Sequence, residues 1–371
     1  MPSSSDTAAI RAEVCLPTND PQEDAAFFRE KLGFRLDSIF PADDPSVAVI
    51  SGHGLRLRLE RGASEPPATV RITADDPATI AGGQSELVAP NGTRIEIHPT
   101  PPSLEIPPTQ HSFVVSRRND VGAWVVGRAG MEYRDMIPGR LGGSVIASNI
   151  RIPNGGPVAD MVHFHDIAFQ LIYCYRGWVK VAYQDQGPPI LMNAGECLIQ
   201  PPRIRHRVLE SSAGAEVIEV TVPAEHLTTI DHELDLPMPV SELGKDYGGQ
   251  RFCNYTLSQA DWQPSQLPGF EASSTGISDS TDGVADVQVL RWRGGASEPV
   301  TSQDADILFT FVLSGSMALQ VIDRPLERLE SGDAFVLPPN TRSMLADCST
   351  ELELLQVSLP GKFETVTHDS L

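Results

Sequence analysis

Three histidines and a glutamine in the middle of the chain are of residue types that can hold a transition metal. His163 and His165 are two residues apart, so on a β-strand both imidazoles point to the same face. Gln170 follows five residues after His165, and His206 follows after a predicted loop. Imidazole nitrogen is a common ligand of Fe, Zn, Cu and Ni. The four side chains could therefore converge on one divalent metal ion.

The residues around this set resemble the two sequence motifs of the cupin superfamily of small β-barrels. The first motif is His-x-His, then Glu and then Gly, and the corresponding residues are His163, His165, Gln170 and Gly177. The second motif is Gly, then Pro and then His, and the corresponding residues are Gly195, Pro201 and His206. The spacings of both motifs are intact. The chain departs from the family pattern in three places, where the family's Glu, turn Gly and closing Asn are replaced by Gln170, Arg203 and Glu210.

The replacement of the family's Glu by Gln170 changes the charge of the site that the resemblance implies. Three neutral imidazoles and an amide leave a divalent ion its full charge, whereas a Glu ligand would cancel one unit. If Gln170 binds weakly or not at all, several coordination positions stay open for an anionic substrate and for dioxygen. Gln170 could instead hydrogen-bond a bound water or substrate, because an amide both donates and accepts. Gln170 is therefore a candidate metal ligand and a candidate catalytic residue.

Three further residues near the motifs are candidates for contact with a substrate. Strand alternation places Cys174 on the same face as Gln170 and its two tyrosine neighbours on the other face. Cys174 could line a pocket, although a buried cysteine is more commonly a small apolar residue. Arg151 and Arg203 carry the charge that would hold a substrate carboxylate.

The composition is that of a globular protein and argues against several classes of partner. Of the 371 residues, 40% are hydrophobic and 21% are charged. The net charge of −21 disfavours binding to nucleic acid or to an anionic membrane surface. No apolar run is long enough to span a membrane, and the N-terminus has no secretory signal pattern. The five cysteines lack CxxC spacing, which is typical of a reducing compartment, so we expect a cytoplasmic protein.

A small α+β unit is predicted before the metal motifs. Asp20 is the expected N-cap of its helix, Pro21 occupies the first helical position, and Gly33 ends the helix. The β-α-β-β-β order, the EKLGF helix end and the closing PNGTRIEIHP resemble the vicinal-oxygen-chelate (glyoxalase-like) module. That resemblance implies metal ligands on the first and last strands, for which the chain offers Glu13 and Glu96. Because the second half of the module is truncated, we expect a degenerate scaffold or dimerisation unit rather than a second metal site.

The last part of the chain repeats the cupin-like pattern. LFTFVLSGSMALQVI resembles FQLIYCYRGWVKVAY, and SGDAFVLPPNTRS resembles AGECLIQPPRIRH. The resemblance is thus to a bicupin, a protein with two such barrels. The same offsets replace the four candidate ligands by Thr301, Gln303, Leu308 and Ser343. No imidazole is left, so we expect a second barrel that binds no metal at the equivalent place.

These patterns predict a mostly β protein, in which two jelly-roll cupin barrels follow a small α+β glyoxalase-like domain. Short strands separated by turns rich in proline and glycine support the all-β assignment after residue 113. The predicted segments are a disordered tail over residues 1–9, a vicinal-oxygen-chelate-like domain over 10–99, a proline-rich linker over 100–112, a metal-binding barrel over 113–230, a connector over 231–249 and a second barrel without metal ligands over 250–371.

Three-histidine cupins that resemble this chain include ring-cleaving and diketone- or thiol-oxidising dioxygenases. The resemblance therefore implies an Fe(II) dioxygenase acting on a small oxygenated or aromatic acid, with Zn, Ni or Mn as alternatives to iron. Two other functions fit the same residues: a Lewis-acid lyase or isomerase that uses no oxygen, and a non-catalytic small-molecule-binding or sensor protein. We expect a small-molecule substrate, no nucleic-acid or membrane partner, and a homodimer that buries open sheet edges.

Overall fold

The computed structural model describes residues 11–100, 104–120, 124–240, 242, 244–295 and 299–371. The predicted disordered tail, residues 1–9, lies outside this part of the chain. The chain divides into two compact units, Met1–Pro102 and Ser103–Leu371. Within the described residues, no helix is long and apolar enough to cross a membrane.

In its described residues, the first unit contains one α-helix, two short 3-10 helices and two small sheets. Its sheets have the strand orders β1-β4-β3-β2 and β5-β7-β6, and the β1/β4 and β5/β7 pairs are parallel. In chain order the elements are β1 (Val14–Thr18), α1 (Pro21–Leu32), β2 (Arg35–Phe40), β3 (Val47–Gly52), β4 (Leu55–Arg61), β5 (Thr69–Ala74), β6 (Glu86–Val88) and β7 (Arg94–Pro99).

Helix α1 begins and ends at the residues that the sequence predicts. The Asp20 carboxylate accepts hydrogen bonds from the backbone N–H groups of Gln22 and Glu23, at 2.9 and 3.2 Å. Gly33 ends the helix in the left-handed conformation, with a φ of 72°. Phe28 is completely buried against the strands. The unit is α+β as predicted, and its resemblance to the vicinal-oxygen-chelate module stays a prediction.

The second unit consists mainly of β-strands. In its first half they are β8 (Val114–Ser116), β9 (Trp124–Val126), β10 (Glu132–Asp135), β11 (Ile146–Ile152), β12 (Gly156–Pro157), β13 (His163–His165), β14 (Phe169–Arg176), β15 (Trp178–Tyr183), β16 (Ile190–Asn193), β17 (Cys197–Ile199), β18 (His206–Ser211), β19 (Ala215–Val222) and β20 (Thr228–Ile230). In its second half the elements are β21 (Asn254–Tyr255), β22 (Trp262–Pro264), β23 (Phe270–Ser274), α2 (Ile277–Ser280), β24 (Asp286–Trp292), β25 (Val300–Gln303), β26 (Ile307–Ser314), β27 (Ser316–Val321), β28 (Glu327–Glu330), β29 (Ala334–Val336), β30 (Ser343–Ala346), β31 (Glu353–Leu359) and β32 (Thr365–His368).

These strands form two barrels, each made of two sheets. The first barrel has sheets of order β21-β17-β14-β19-β11-β10-β9 and β16-β15-β18-β13-β20. The second barrel has sheets of order β22-β23-β24-β31-β26-β29-β8 and β28-β27-β30-β25-β32. The mostly β fold with two barrels that the sequence predicts is confirmed.

Each barrel includes one short strand that the predicted boundaries assign to the other barrel. β8 pairs with β29 of the second barrel, although the predicted boundaries assign residues 113–230 to the first. β21 pairs with β17 of the first barrel, although residues 250–371 are assigned to the second. Such an exchange depends on pairing between strands far apart in sequence, which alternation within a strand does not encode. It ties the two barrels into one unit.

One face of β14 points into the first barrel. The other face points into an apolar core that contains residues of both barrels. Cys174 packs inside the first barrel, as strand parity predicts for the face of Gln170. Tyr173 and Tyr175 point the other way, into a cluster that also contains Phe309 and Phe311 of β26. The rings of Tyr175 and Phe311 meet edge to face, with centroids 4.9 Å apart. The apolar core between the barrels thus includes aromatic residues from both.

Replacing Phe311 by alanine is expected to lower the free energy of unfolding of the second unit by about 3–5 kcal/mol, because a fully buried ring leaves a cavity when it is removed. Denaturant unfolding followed by circular dichroism measures this change. Ile322→Ala is the control, since Ile322 is 38% exposed and should lose much less. Equal losses in the two variants would contradict a core shared between the barrels.

Candidate metal centre

The three predicted histidines come together inside the first barrel. His163 and His206 lie directly opposite each other on the antiparallel pair β13 and β18, and His165 lies two residues further along β13. Their ring centroids are 4.2 to 5.1 Å apart, and one ligand atom from each lies within 4.8 Å of the others. Among the described residues, no other group of three or more His, Cys, Asp or Glu side chains is placed to hold a metal.

Hydrogen bonds at Nδ1 orient each of the three rings. Nδ1 of His163 lies 2.7 Å from the carbonyl oxygen of Met161, and Nδ1 of His206 lies 2.9 Å from that of Ile204. Nδ1 of His165 lies 2.9 Å from the hydroxyl of Thr228. A carbonyl oxygen only accepts, so Nδ1 of His163 and of His206 carries the proton and Nε2 keeps its lone pair. Nε2 of His163 is buried and has no protein partner, as expected of an atom that binds a metal.

Burial keeps the three imidazoles neutral. Their exposed fractions are 0% for His163, 8% for His165 and 5% for His206. Burial is the largest cause that lowers their pKa values, and neighbouring positive charge lowers them further. The pKa of His165 falls to about 2. Neutral imidazole is the form that binds metal ions, so these donors fit a divalent transition metal at neutral pH.

Gln170 and Glu219 form a polar pair that faces the interior of the same barrel. Gln170 is 1% exposed, its Oε1 has no partner in the protein, and its side chain lies close enough to the Glu219 carboxyl to lower the pKa of that group. The amide nitrogen is the group of Gln170 that can donate to Glu219, and Oε1 remains as a free acceptor. Burial raises the pKa of the Glu219 carboxyl, while nearby Arg128 opposes that shift. Sequence reasoning did not find Glu219, because a lone acidic residue on a strand is part of no motif.

Replacing Gln170 by glutamate is expected to tighten divalent metal binding by about tenfold or more, because a carboxylate cancels part of the ion's charge. Competition with a metal-binding chromophore measures the dissociation constant. Gln170→Met is the matched control, since it keeps the volume without the oxygen and should bind metal no more tightly than the native protein. Unchanged affinity in the glutamate variant would show that position 170 does not reach the ion.

An ion pair between Arg128 and the buried Asp160 lies beside His163. The Asp160 side chain is 1% exposed, bonds to Arg128 and accepts from the backbone N–H of Val208 at 2.8 Å. Nη1 of Arg128 also lies 3.2 Å from Nδ1 of His163. The Arg128 charge is among the causes that lower the pKa of all three histidines, after burial. Arg128 is thus the cation beside the centre, and its side chain keeps 38% of its area exposed.

The two arginines proposed from the sequence point elsewhere. Arg151 bonds to Glu132, with Nε and Oε2 2.6 Å apart, and its guanidinium lies 4.4 Å from the Trp124 ring centroid. Its strand neighbours Ile150 and Ile152 face the barrel interior, so Arg151 lies on the opposite face from the histidines. The placement does not favour the expected contact of Arg151 with a substrate carboxylate, which stays a prediction.

The side chain of Arg203 is also directed away from the three rings. It is 55% exposed, bonds to Asp166 at 3.1 Å and lies over the ring of Phe164 at 5.0 Å. Arg203 has a left-handed φ of 62°, where the family has glycine. The turn therefore keeps its backbone geometry despite the replacement.

Cys174 lies inside the barrel as a small apolar residue. It is fully buried among Val179, Val217 and Leu198, and its Sγ lies 3.5 Å from the carbonyl oxygen of Gly177. Burial raises the pKa of its thiol to about 12, so the thiol stays protonated. Of the two roles considered for Cys174, lining a pocket or packing as a small apolar residue, this placement corresponds to the second.

Two further aromatic rings surround the centre. The ring of Tyr183 stacks on His206 at 5.6 Å, and its hydroxyl accepts from Nε2 of Gln200 at 2.7 Å. The ring of His226 meets His165 edge to face at 5.2 Å. His226 lies outside both sequence motifs, and only the fold brings its loop to β13.

The two acidic candidates in the first unit are each paired with arginine. Oε1 of Glu13 accepts from Nε of Arg56 at 2.8 Å. Oε2 of Glu96 accepts from Nη2 of Arg71 at 2.8 Å, a contact that lowers the Glu96 pKa. The arrangement agrees with the expected scaffold role of this unit, which stays a prediction.

No protein-family model matches the chain, and neither does any curated protein. Solved structures do match it. Salicylate 1,2-dioxygenase from Pseudaminobacter salicylatoxidans is 16% identical with a TM-score of 0.51, over 71% of this chain and 91% of that one. Oxalate decarboxylase from Lactobacillus farciminis is 12% identical with a TM-score of 0.51, over 69% and 89%. Oxalate decarboxylase from Bacillus subtilis is 14% identical with a TM-score of 0.51, over 68% and 78%.

The chain has the bicupin fold. At such identities the likeness concerns the fold alone. The bicupin repeat is also visible in strand register, because Thr301 and Ser343 lie opposite each other on β25 and β30 as His163 and His206 do on β13 and β18. The second barrel therefore keeps the positions of the candidate metal ligands without their imidazole groups.

Proposed function

We propose that this protein is a metal-dependent enzyme, an Fe(II) dioxygenase that acts on a small oxygenated or aromatic acid. The observation that carries the proposal is the convergence of His163, His165 and His206 as neutral rings, with Nε2 of His163 buried and unpartnered. When bound, Fe(II) would supply open coordination positions for substrate oxygens and for dioxygen. Zn, Ni or Mn could occupy the same donors.

The carboxylate of the substrate would bind to Arg128. Its bond to Asp160 is made by Nη1, and over a third of its side chain is exposed. The other N–H groups of the guanidinium can donate to an anion in a two-pronged arrangement. Asp160 would hold this guanidinium in place, since its second oxygen is fixed by the backbone of Val208.

Glu219 would hold a proton close to the reacting molecule. Burial raises the pKa of its carboxyl, which makes it a better base than a solvated glutamate near neutral pH. It could accept the proton of a substrate hydroxyl at a carboxylate oxygen, while Gln170 keeps its side chain in position. The exposed fractions of the histidines, 8% or less, favour a small substrate.

The structural neighbours support this class of substrate. Their names specify salicylate and oxalate, which are both small carboxylic acids, and one of them is a dioxygenase. Fold does not fix function, so these names indicate which compounds to test first.

Lewis-acid catalysis without oxygen is the second candidate. The observation that favours it is Glu219, because a half-buried carboxyl with a raised pKa can deliver a proton to a carbanion as well as remove one. The same centre could then perform a lyase, isomerase or decarboxylase reaction.

We also propose a homodimer. β9 is the last strand of its sheet, and its residues Val125 and Val126 are 65% and 71% exposed. An edge strand that exposes apolar side chains is a common site of association.

The deciding experiment is metal analysis of anaerobically purified protein, followed by turnover of salicylate, gentisate-like, catecholic and diketone acids under ¹⁸O₂. A dioxygenase would contain iron and would transfer both labelled oxygen atoms into the product. Turnover with zinc, nickel or manganese and without label would favour Lewis-acid chemistry. Absence of metal even after reconstitution would leave a small-molecule-binding or sensor protein.

A further inference from the structure

A large cavity lies inside the second barrel, where the repeat has no metal ligands. Its volume is about 700 Å³, within the range of small-molecule sites. The four residues at the positions of the metal ligands all line it, namely Thr301, Gln303, Leu308 and Ser343. The cavity is therefore the counterpart of the metal centre in the first barrel.

Gln303, one of these four residues, stabilises the wall of the cavity by hydrogen bonds. Nε2 of Gln303 donates to the carbonyl oxygen of Leu337 at 3.2 Å, and its Oε1 accepts from the backbone N–H of Ala305 at 2.5 Å. Gln303 thus occupies the position equivalent to His165 and supports the neighbouring loops. The other lining groups are left to contact whatever enters the cavity.

Two buried polar atoms in the lining have no partner in the protein. They are Oδ1 of Asp286 and Oγ1 of Thr310, in side chains that are 8% and 1% exposed. The other oxygen of Asp286, Oδ2, accepts from Nε2 of Gln288 at 2.6 Å, so the carboxyl is held in one orientation. Buried polar groups are nearly always hydrogen-bonded, so these two atoms are available to bond a polar ligand in the cavity.

The chemistry of the wall selects among ligand classes. Besides these two groups it presents uncharged amide and hydroxyl side chains, such as Gln356 and Ser343, and an apolar surface that includes Phe335. The charged side chains of the lining apart from Asp286 are Asp261 and Lys362, which are both exposed. An anionic ligand is disfavoured, because it would lie beside the Asp286 carboxylate with no buried cation in the lining to balance the charge. Burial raises the pKa of Asp286, the direction expected of a carboxyl that has no cation beside it.

We propose that the second barrel binds an uncharged, multiply hydroxylated small molecule, of the sugar or polyol type. Its hydroxyl groups would donate to Asp286 and accept from Thr310 and the amides, while its C–H face packs on Phe335. The site is separate from the histidine centre and does not depend on the reaction proposed there.

The test is binding of glucose, maltose, myo-inositol and glycerol to the full-length, metal-loaded protein, measured by saturation-transfer NMR and calorimetry. Benzoate and putrescine serve as charged probes of similar size. At least one hydroxylated probe should bind, and Thr310→Val and Asp286→Leu should each weaken it about tenfold or more. Because the Thr310 hydroxyl has no partner in the protein, Thr310→Val should not lower the melting temperature.

Two controls separate this site from the metal centre. The His163→Ala, His206→Ala variant should bind the hydroxylated probe as the native protein does, and Thr310→Val should keep the native metal content. The proposal is overturned if no hydroxylated probe binds the native protein, if only a charged probe binds, or if Thr310→Val and Asp286→Leu leave binding unchanged.

Discussion

Replacing both His163 and His206 by alanine is expected to abolish metal binding and turnover. The two rings lie opposite each other across β13 and β18, and together they supply two of the three converging donors. One remaining imidazole of the three cannot hold a divalent ion tightly, because transition-metal sites usually take three or four protein ligands. Turnover should fall by at least about 10³-fold, since enzymes commonly accelerate reactions by 10⁶-fold or more.

The internal repeat provides a matched control. Thr301→Ala with Ser343→Ala changes the equivalent positions of the second barrel, which also face each other, and should leave metal content and turnover unchanged. Metal content is measured by mass spectrometry after anaerobic purification, and circular dichroism verifies that each variant is folded. A folded His163→Ala, His206→Ala protein that retains its metal would exclude this site as the metal centre.

Replacing Arg128 by methionine is expected to lower kcat/KM for an acidic substrate by about 10²-fold while the metal content stays close to native. Methionine keeps much of the length of the side chain but cannot donate to a carboxylate, and loss of one partner of such a charge pair costs a factor of this order. Arg128 binds Asp160 and approaches the back of His163, so the rate alone does not separate substrate binding from support of the ring.

A substrate analogue resolves the two roles of Arg128. The native protein should prefer the free acid over its methyl ester, whereas Arg128→Met should lose most of that preference. A purely structural role would reduce kcat/KM for acid and ester equally. Arg151→Met is the matched control: Arg151 pairs with Glu132 on the opposite face of β11, so its removal should leave the preference intact. A loss of preference in Arg151→Met would instead support the sequence expectation for that residue.

The spacing of the histidines could be predicted because it depends on local geometry. His163 and His165 share a face of β13 since side chains alternate along any strand, and the same rule places Cys174 inside the barrel and Tyr175 outside it. The similarity of the two halves indicated a second barrel without metal ligands, and Thr301 and Ser343 lie opposite each other as that repeat requires.

What only the tertiary structure decided are the contacts between side chains that no local rule connects. Arg128 lies on a turn far before the motifs and Glu219 lies on a strand after them. Arg128 nevertheless lies beside His163, and Glu219 lies near Arg128 and Gln170, because β10, β13 and β19 are brought into one barrel. Arg151 points away from the histidines because the other face of β11, with Ile150 and Ile152, packs inside the barrel, and only the assembled fold decides which face that is. The cavity in the second barrel exists because side chains from several strands fail to fill its interior, and packed volume is a property of the assembled fold rather than of any segment.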